Sequence, residues 1–150
     1  MTKDDLILSA RDLVQPEPEI AGEYAARKDA MASRVVESLG QRADLDKLIG
    51  PDNSSMMMDN AHNMARFMES MFERYDPPTF VETILWVFRA YRSHGFRLTF
   101  WSAHLNTWIE TLQAELSPEA SAALRPYYDW IQTRIPVFTA LTDPAGPDSG

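Results

Sequence analysis

Apolar side chains recur every three to four positions along five long stretches of this chain, and no stretch alternates with the period of two that a half-buried strand needs. Spacings of three and four place side chains on one face of an α-helix. Each such helix must hide its apolar face against another. The chain is therefore expected to be all-α, built of six to seven helices around one core rich in aromatic residues and methionine.

Capping and breaking residues divide the pattern. Thr2 followed by Asp5 is a short-armed capping box that opens a first helix through about Val14. Gln15-Pro16-Glu17-Pro18 ends it, and Pro18 suits the first turn of a longer helix, where its missing N–H is no loss. That helix carries Tyr24, Met31, Val35 and Leu39 and stops near Gly40. Asp44 to Ile49 makes a short helical turn closed by Gly50-Pro51. Asp52, Asn53, Ser54 and Ser55 are all good caps for the next helix, which runs to about Tyr75 with Met57, Ala61, Met64, Met68 and Met71 in one stripe.

Asp76-Pro77-Pro78 breaks the chain again, and Thr79 with Glu82 predicts a full capping box for the helix that follows. Its core face is Phe80, Ile84, Val87, Phe88 and Tyr91, and Gly95 suits its left-handed end. Trp101, Leu105, Trp108, Leu112 and Leu116 mark the core face of a helix from about Leu98 to Leu116. Ser117-Pro118-Glu119 opens the last helical region, in which Pro126 predicts a kink or restart and Pro136 a distorted end. Residues 1–142 are expected to form one domain and residues 143–150, rich in proline and glycine, a flexible tail.

Composition narrows the function. The 150 residues include no cysteine, which excludes disulfides, thiolate catalysis and Cys-type zinc sites. A formal charge of −8, with arginines scattered singly, argues against nucleic acid and anionic lipid as partners. No apolar run approaches the roughly 20 residues that cross a bilayer. The acidic opening lacks the basic start and apolar stretch of a secretory signal, so a cytoplasmic location is expected.

The three histidines are the first candidates for chemistry. His62 and His104 fall at the edges of apolar stripes, and His94 lies at a helix end. Haem ligation by one of them is the sharper expectation, and a boundary or capping role the plainer one. With no HxxxH or HExxH pair, a helical metal site lacks its ligands.

Six of the eight methionines lie in one helix, where they make either a forgiving core or an adaptable wall for an apolar ligand. Met64, Met68, Phe88 and Trp108 are the candidate lining of such a pocket. Trp86 and Trp130 project away from their helices' apolar lines and are the candidate interface residues. Glu69 and Glu73 lie one turn apart on a solvated side, unsuited to general-acid work. Arg89, Tyr91, Arg92 and Arg97 around His94 offer either a cradle for an anion or capping groups. The GxGxxG, P-loop and GxSxG motifs are all missing, so no enzyme is expected.

A short first helix, a long second one, a turn at Asp44–Ile49, a long helix from about 54 to 75 and three more amphipathic helices together resemble a globin-like arrangement. The chain is similar in this order to the non-haem globin-like sensor domains of bacterial stress-response regulators. That resemblance implies a non-catalytic sensory or regulatory module, a homodimer that signals through its terminal helices to a protein partner. Two other readings stand beside it: a binding protein for haem or another apolar small ligand, and an up-and-down helical bundle serving as a structural adaptor.

Overall fold

A side-chain cap or a first-turn proline marks the start of five of the eight helices in the computed structural model, which describes residues 1–143 and shows no strand among them. They are α1 (Lys3–Ala10), α2 (Pro18–Gly40), α3 (Leu45–Ile49), α4 (Ser54–Glu73), α5 (Pro77–Ser93), α6 (Leu98–Glu115), α7 (Pro118–Thr133) and α8 (Ile135–Leu141). The chain is all-α. No helix among the described residues is long and apolar enough to cross a membrane.

The capping box of α1 forms in full: Asp5 N–H donates to Thr2 Oγ1 and Thr2 N–H donates to Asp5 Oδ2. The helix ends at Ala10, short of the expected Val14, and tyrosines from elsewhere engage carbonyls at and beyond its end. Tyr75 donates to Ala10 O at 2.6 Å and Tyr127 donates to Val14 O at 2.6 Å. Ser117 caps α7 as expected, its hydroxyl accepting from Ala120 N–H.

Three expectations need correction. Helix α5 begins at Pro77, and its cap is Asp76, whose carboxylate accepts from Thr79 N–H at 3.0 Å; the Thr79–Glu82 box does not form. Two prolines in the first turn need no N–H, so the helix starts before the threonine. Helix α7 runs through Pro126 without restarting. Proline leaves the Ala122 carbonyl without its helical donor, and Ala122 and Pro126 are both on the exposed side, where water can serve it. The break falls instead at Arg134, and Pro136 sits in the first turn of a separate α8. That split gives eight helices rather than six or seven. Of the expected tail, residues 144–150 lie outside the described residues.

The centre of the fold is the group α2, α4, α6 and α7. Tyr24 meets Phe72 edge-on at 4.8 Å, Phe72 meets Tyr127 at 5.2 Å, and Trp108 stacks on Tyr128 at 6.1 Å. The Tyr24 hydroxyl donates to Ala65 O at 3.0 Å, so its burial leaves that donor satisfied. Burial raises the pKa of this phenol and of Tyr128, and both stay neutral. Helix α5 lies apart from this group and packs chiefly against α1 and α8.

Candidate functional site

Helices α4 and α5 follow one another in the chain and run antiparallel, yet they touch only near their ends. At one end Phe67 stacks on Phe80 at 6.0 Å and Tyr75 meets Phe80 edge-on at 5.6 Å. At the other end a single side chain spans the gap. The Asn53 amide donates to Ile49 O at 2.6 Å and to His94 O at 2.7 Å. It therefore fastens three segments instead of capping α4, the role its position suggested. Gly50 makes the close approach possible. Its φ is 84°, and a Cβ there would lie 3.3 Å from Gly95 O and from the Asn53 amide.

Between the two fastenings the helices stand apart and leave a groove of about 250 Å³. Asn60, Met64 and Phe67 of α4 form one wall. Ile84, Val87 and Phe88 of α5 form the other, and Trp101 and Leu105 of α6 the floor. Trp86 stands at the rim with 65% of its surface exposed, a large apolar area left in water. No carboxylate, ammonium, guanidinium or imidazole lines the groove.

Two polar groups in these walls have no partner. Asn60 is 4% exposed and its Nδ2 makes no hydrogen bond; Trp101 is likewise 4% exposed and its Nε1 makes none. A buried donor without an acceptor costs about 1–3 kcal/mol, and both atoms are closed to a water-sized molecule in the groove.

The far side of α5 carries both terminal helices. Lys3 of α1 pairs with Glu82 at 3.5 Å, an exposed contact. Arg92 donates to Thr139 O at 2.8 Å and to Thr142 Oγ1 at 2.9 Å, and Arg89 reaches Leu141 O at 3.5 Å. These arginines satisfy the free carbonyls at the end of α8. The expected anion cradle of Arg89, Tyr91, Arg92 and Arg97 is not assembled: Tyr91 lines the groove and the Arg97 side chain is exposed. Phe88 joins the two sides of α5. Its ring stacks on Trp101 at 4.7 Å and on Phe138 of α8 at 5.3 Å.

The other candidates scatter. Of the four expected lining residues, Met64 and Phe88 line the groove, while Met68 and Trp108 are fully buried in the central core and do not. Trp130 offers no surface for a partner. It is 6% exposed, its Nε1 donates to Ser9 Oγ at 3.2 Å, and the Arg134 guanidinium lies 4.7 Å from its ring centre. Phe80 of α5 and Phe138 of α8 pack on its ring, so α1, α5 and α8 together cover the side of α7 that the sequence pattern leaves bare. Glu69 pairs with Lys28 across the contact of α2 with α4 at 3.2 Å, and Glu73 is exposed.

The three histidines do not converge. His62 is half-buried on α4 and His94 exposed, and neither lines the groove. His104 is a core residue, not a boundary one. It is fully buried, stacked on Phe100 at 5.3 Å, and its Nε2 accepts from Trp108 Nε1 at 3.0 Å. That acceptance puts the ring proton on Nδ1, which has no partner. Burial pushes its pKa down to about 3. None of the three histidines, the expected haem ligands, therefore stands at the groove.

Sequence reasoning missed Asn60 and Trp101 as groove residues. The signal was present on α4, where Asn60 falls one turn before Met64 and in line with Phe67 and Met71, a polar interruption at helical spacing. No family model matches the chain, and neither a curated protein nor a solved structure is found to be similar to it.

Proposed function

We propose that this chain is a non-catalytic, cytoplasmic sensory domain that binds its signal in the groove between α4 and α5. One observation carries the reading. Helices fastened at both ends stand apart in the middle over an apolar floor, and one wall, α5, holds both terminal helices on its other side. An occupant bears on Phe88, and Phe88 stacks on Phe138 of α8. Apolar clefts of this kind with a few polar groups are the usual form of small-ligand sites.

The test uses N-phenyl-1-naphthylamine, an uncharged dye that brightens in apolar surroundings. Its emission rises on titration with the protein, and Val87→Trp, which fills the groove, abolishes the rise at an unchanged melting temperature. Hydrogen exchange in α8 changes when the dye is bound. Dye emission that stays flat with the unaltered protein refutes the reading.

A second reading rests on Trp86 and Met58, which are 65% and 46% exposed. In a homodimer a second copy covers them. Sedimentation equilibrium then gives twice the chain mass, and Trp86→Glu returns the monomer. A monomer at all concentrations removes this second reading and leaves the first.

A further inference from the structure

Trp86 and the groove lie side by side on one face of the molecule, a projection next to a hollow. On α5 Trp86 stands about 100° round from Val87, so it is left largely exposed beside the wall that Val87 lines. An engineered apolar cavity of about 150 Å³ takes benzene, so a groove of about 250 Å³ suits the two fused rings of an indole. Of the polar lining residues, Asn63 is exposed and Thr83 half-buried. Each carries an oxygen that can accept from an indole N–H, which is a donor alone. A surface that bears both a projection and a hollow to fit it is complementary to a second copy of itself.

The charges beside the groove fit the same partner. Asn53 meets His94 and Phe67 meets Phe80, pairs equally far apart on two antiparallel helices. That register sets Asp59 level with Arg89 and Arg66 level with Glu82, to within about one residue. All four are exposed. A two-fold axis along the groove lays α4 of one copy over α5 of the other and preserves level. Asp59 then faces Arg89 of the second copy, and Arg66 faces its Glu82. Arg66 now donates to Asn63, and Glu82 pairs with Lys3, exposed contacts that cost little to exchange. The chain carries a net charge of −8, but these four groups balance, so two copies meet here without repulsion between them. Helices of 20 and 17 residues present a face of roughly 500–600 Å². Two copies bury about 1,000–1,200 Å² together, the lower edge of specific interfaces, which makes the pair reversible.

We infer that two copies pack along the groove with Trp86 of each seated in the groove of the other, so that a ligand and the second copy's Trp86 exclude one another. This rests on the two readings above and gives the homodimer its regulation: the free chain is paired, and the chain holding its signal is single. The exclusion is mutual, since a ligand weakens pairing by the factor that pairing weakens the ligand.

Sedimentation equilibrium with and without N-phenyl-1-naphthylamine tests the exclusion. Dye affinity is read in dilute protein, where the chain is single. At free dye about ten times its dissociation constant both grooves fill, and the apparent dissociation constant of the pair rises about a hundredfold. Val87→Trp, its groove filled, sediments as a monomer without dye. Pairing that is equally strong with dye, or in Val87→Trp, overturns the seating of Trp86 and leaves the homodimer standing. A monomer at all concentrations removes the inference together with the homodimer, and the ligand reading survives. Charge reversal tests the arrangement. Arg66→Glu and Glu82→Arg each weaken pairing about tenfold alone, and an equal mixture of the two variants restores it, because their mixed pair has opposite charges at both contacts. A mixture that pairs no better than its components overturns the axis along the groove.

Discussion

Helix α4 forms two contacts of opposite character. Towards α2 it presents Ala61, Ala65 and Phe72, all fully buried, and the Tyr24 hydroxyl comes close enough to donate to the Ala65 carbonyl. Towards α5, about 100° further round the same helix, it presents Asn60, Met64 and Phe67, and there the neighbours part around the groove. Small side chains let backbones approach until a side chain reaches the neighbour's main chain. A long thioether, a ring and an amide at successive turns hold the neighbour off, and only the ends are close. Proximity in sequence is the weaker influence: α4 is tied more tightly to α2 than to the helix that follows it.

The contrast can be broken by mutation. Phe72→Ala, in the closed contact, is expected to destabilise the protein by about 3–5 kcal/mol in urea unfolding. Phe67→Ala, at the mouth of the groove, should cost less than half as much, since part of the side chain already faces open space. Equal losses would erase the distinction between the two sides of α4.

Acid should attack the closed half of the molecule through His104. Its pKa in the fold, about 3, lies below the roughly 6.5 of an unfolded histidine, so the unfolded chain takes up the proton first. This contribution to stability is complete above pH 6.5 and declines by about 1.4 kcal/mol per unit as pH falls towards 3. Between pH 6.5 and 5 the loss is about 2 kcal/mol by that slope. His104→Leu should flatten the profile over this window; an unchanged profile would mean that the imidazole meets water.

The fastening by Asn53 sharpens the comparison from the open side. Asn53→Ala removes two hydrogen bonds and is expected to cost about 1–2 kcal/mol. Amide exchange should quicken at the end of α5 and stay slow in α2. Trp86→Ala, at an exposed rim, should alter stability by no more than about 0.5 kcal/mol while lowering dye binding. A large loss would identify Trp86 as a structural residue.

Much of the fold was legible in the chain. Of the stripe Met57, Ala61, Met64, Met68 and Met71, all but the partly buried Met64 are buried as their spacing implies, and Thr2, Pro18 and Ser117 stand at helix starts. The errors have physical causes. His104 looked like a boundary residue because angle around α6 measures distance from one stripe, whereas α6 is covered on more than one side, by α2, α3, α7 and α8. Trp130 looked exposed because its cover comes from other helices, Phe80 of α5 and Ser9 of α1 among them, the latter more than a hundred residues away. Pro126 looked like a break because the lost hydrogen bond was counted and the burial of Leu124, Tyr127, Tyr128 and Ile131 on the same helix was not. The groove was half legible. Met64 and Phe88 were marked as wall residues, but a gap depends on how two helices diverge, which no single helix's pattern encodes.

The ring of Phe88, held between Trp101 and Phe138, has neighbours in two different helices at once. Interiors at native density have little slack, so a sideways displacement of that ring is shared with both neighbours instead of being absorbed. On the proposed reading, a nudge delivered at the floor of the cleft would reach α8 across the width of one benzene ring.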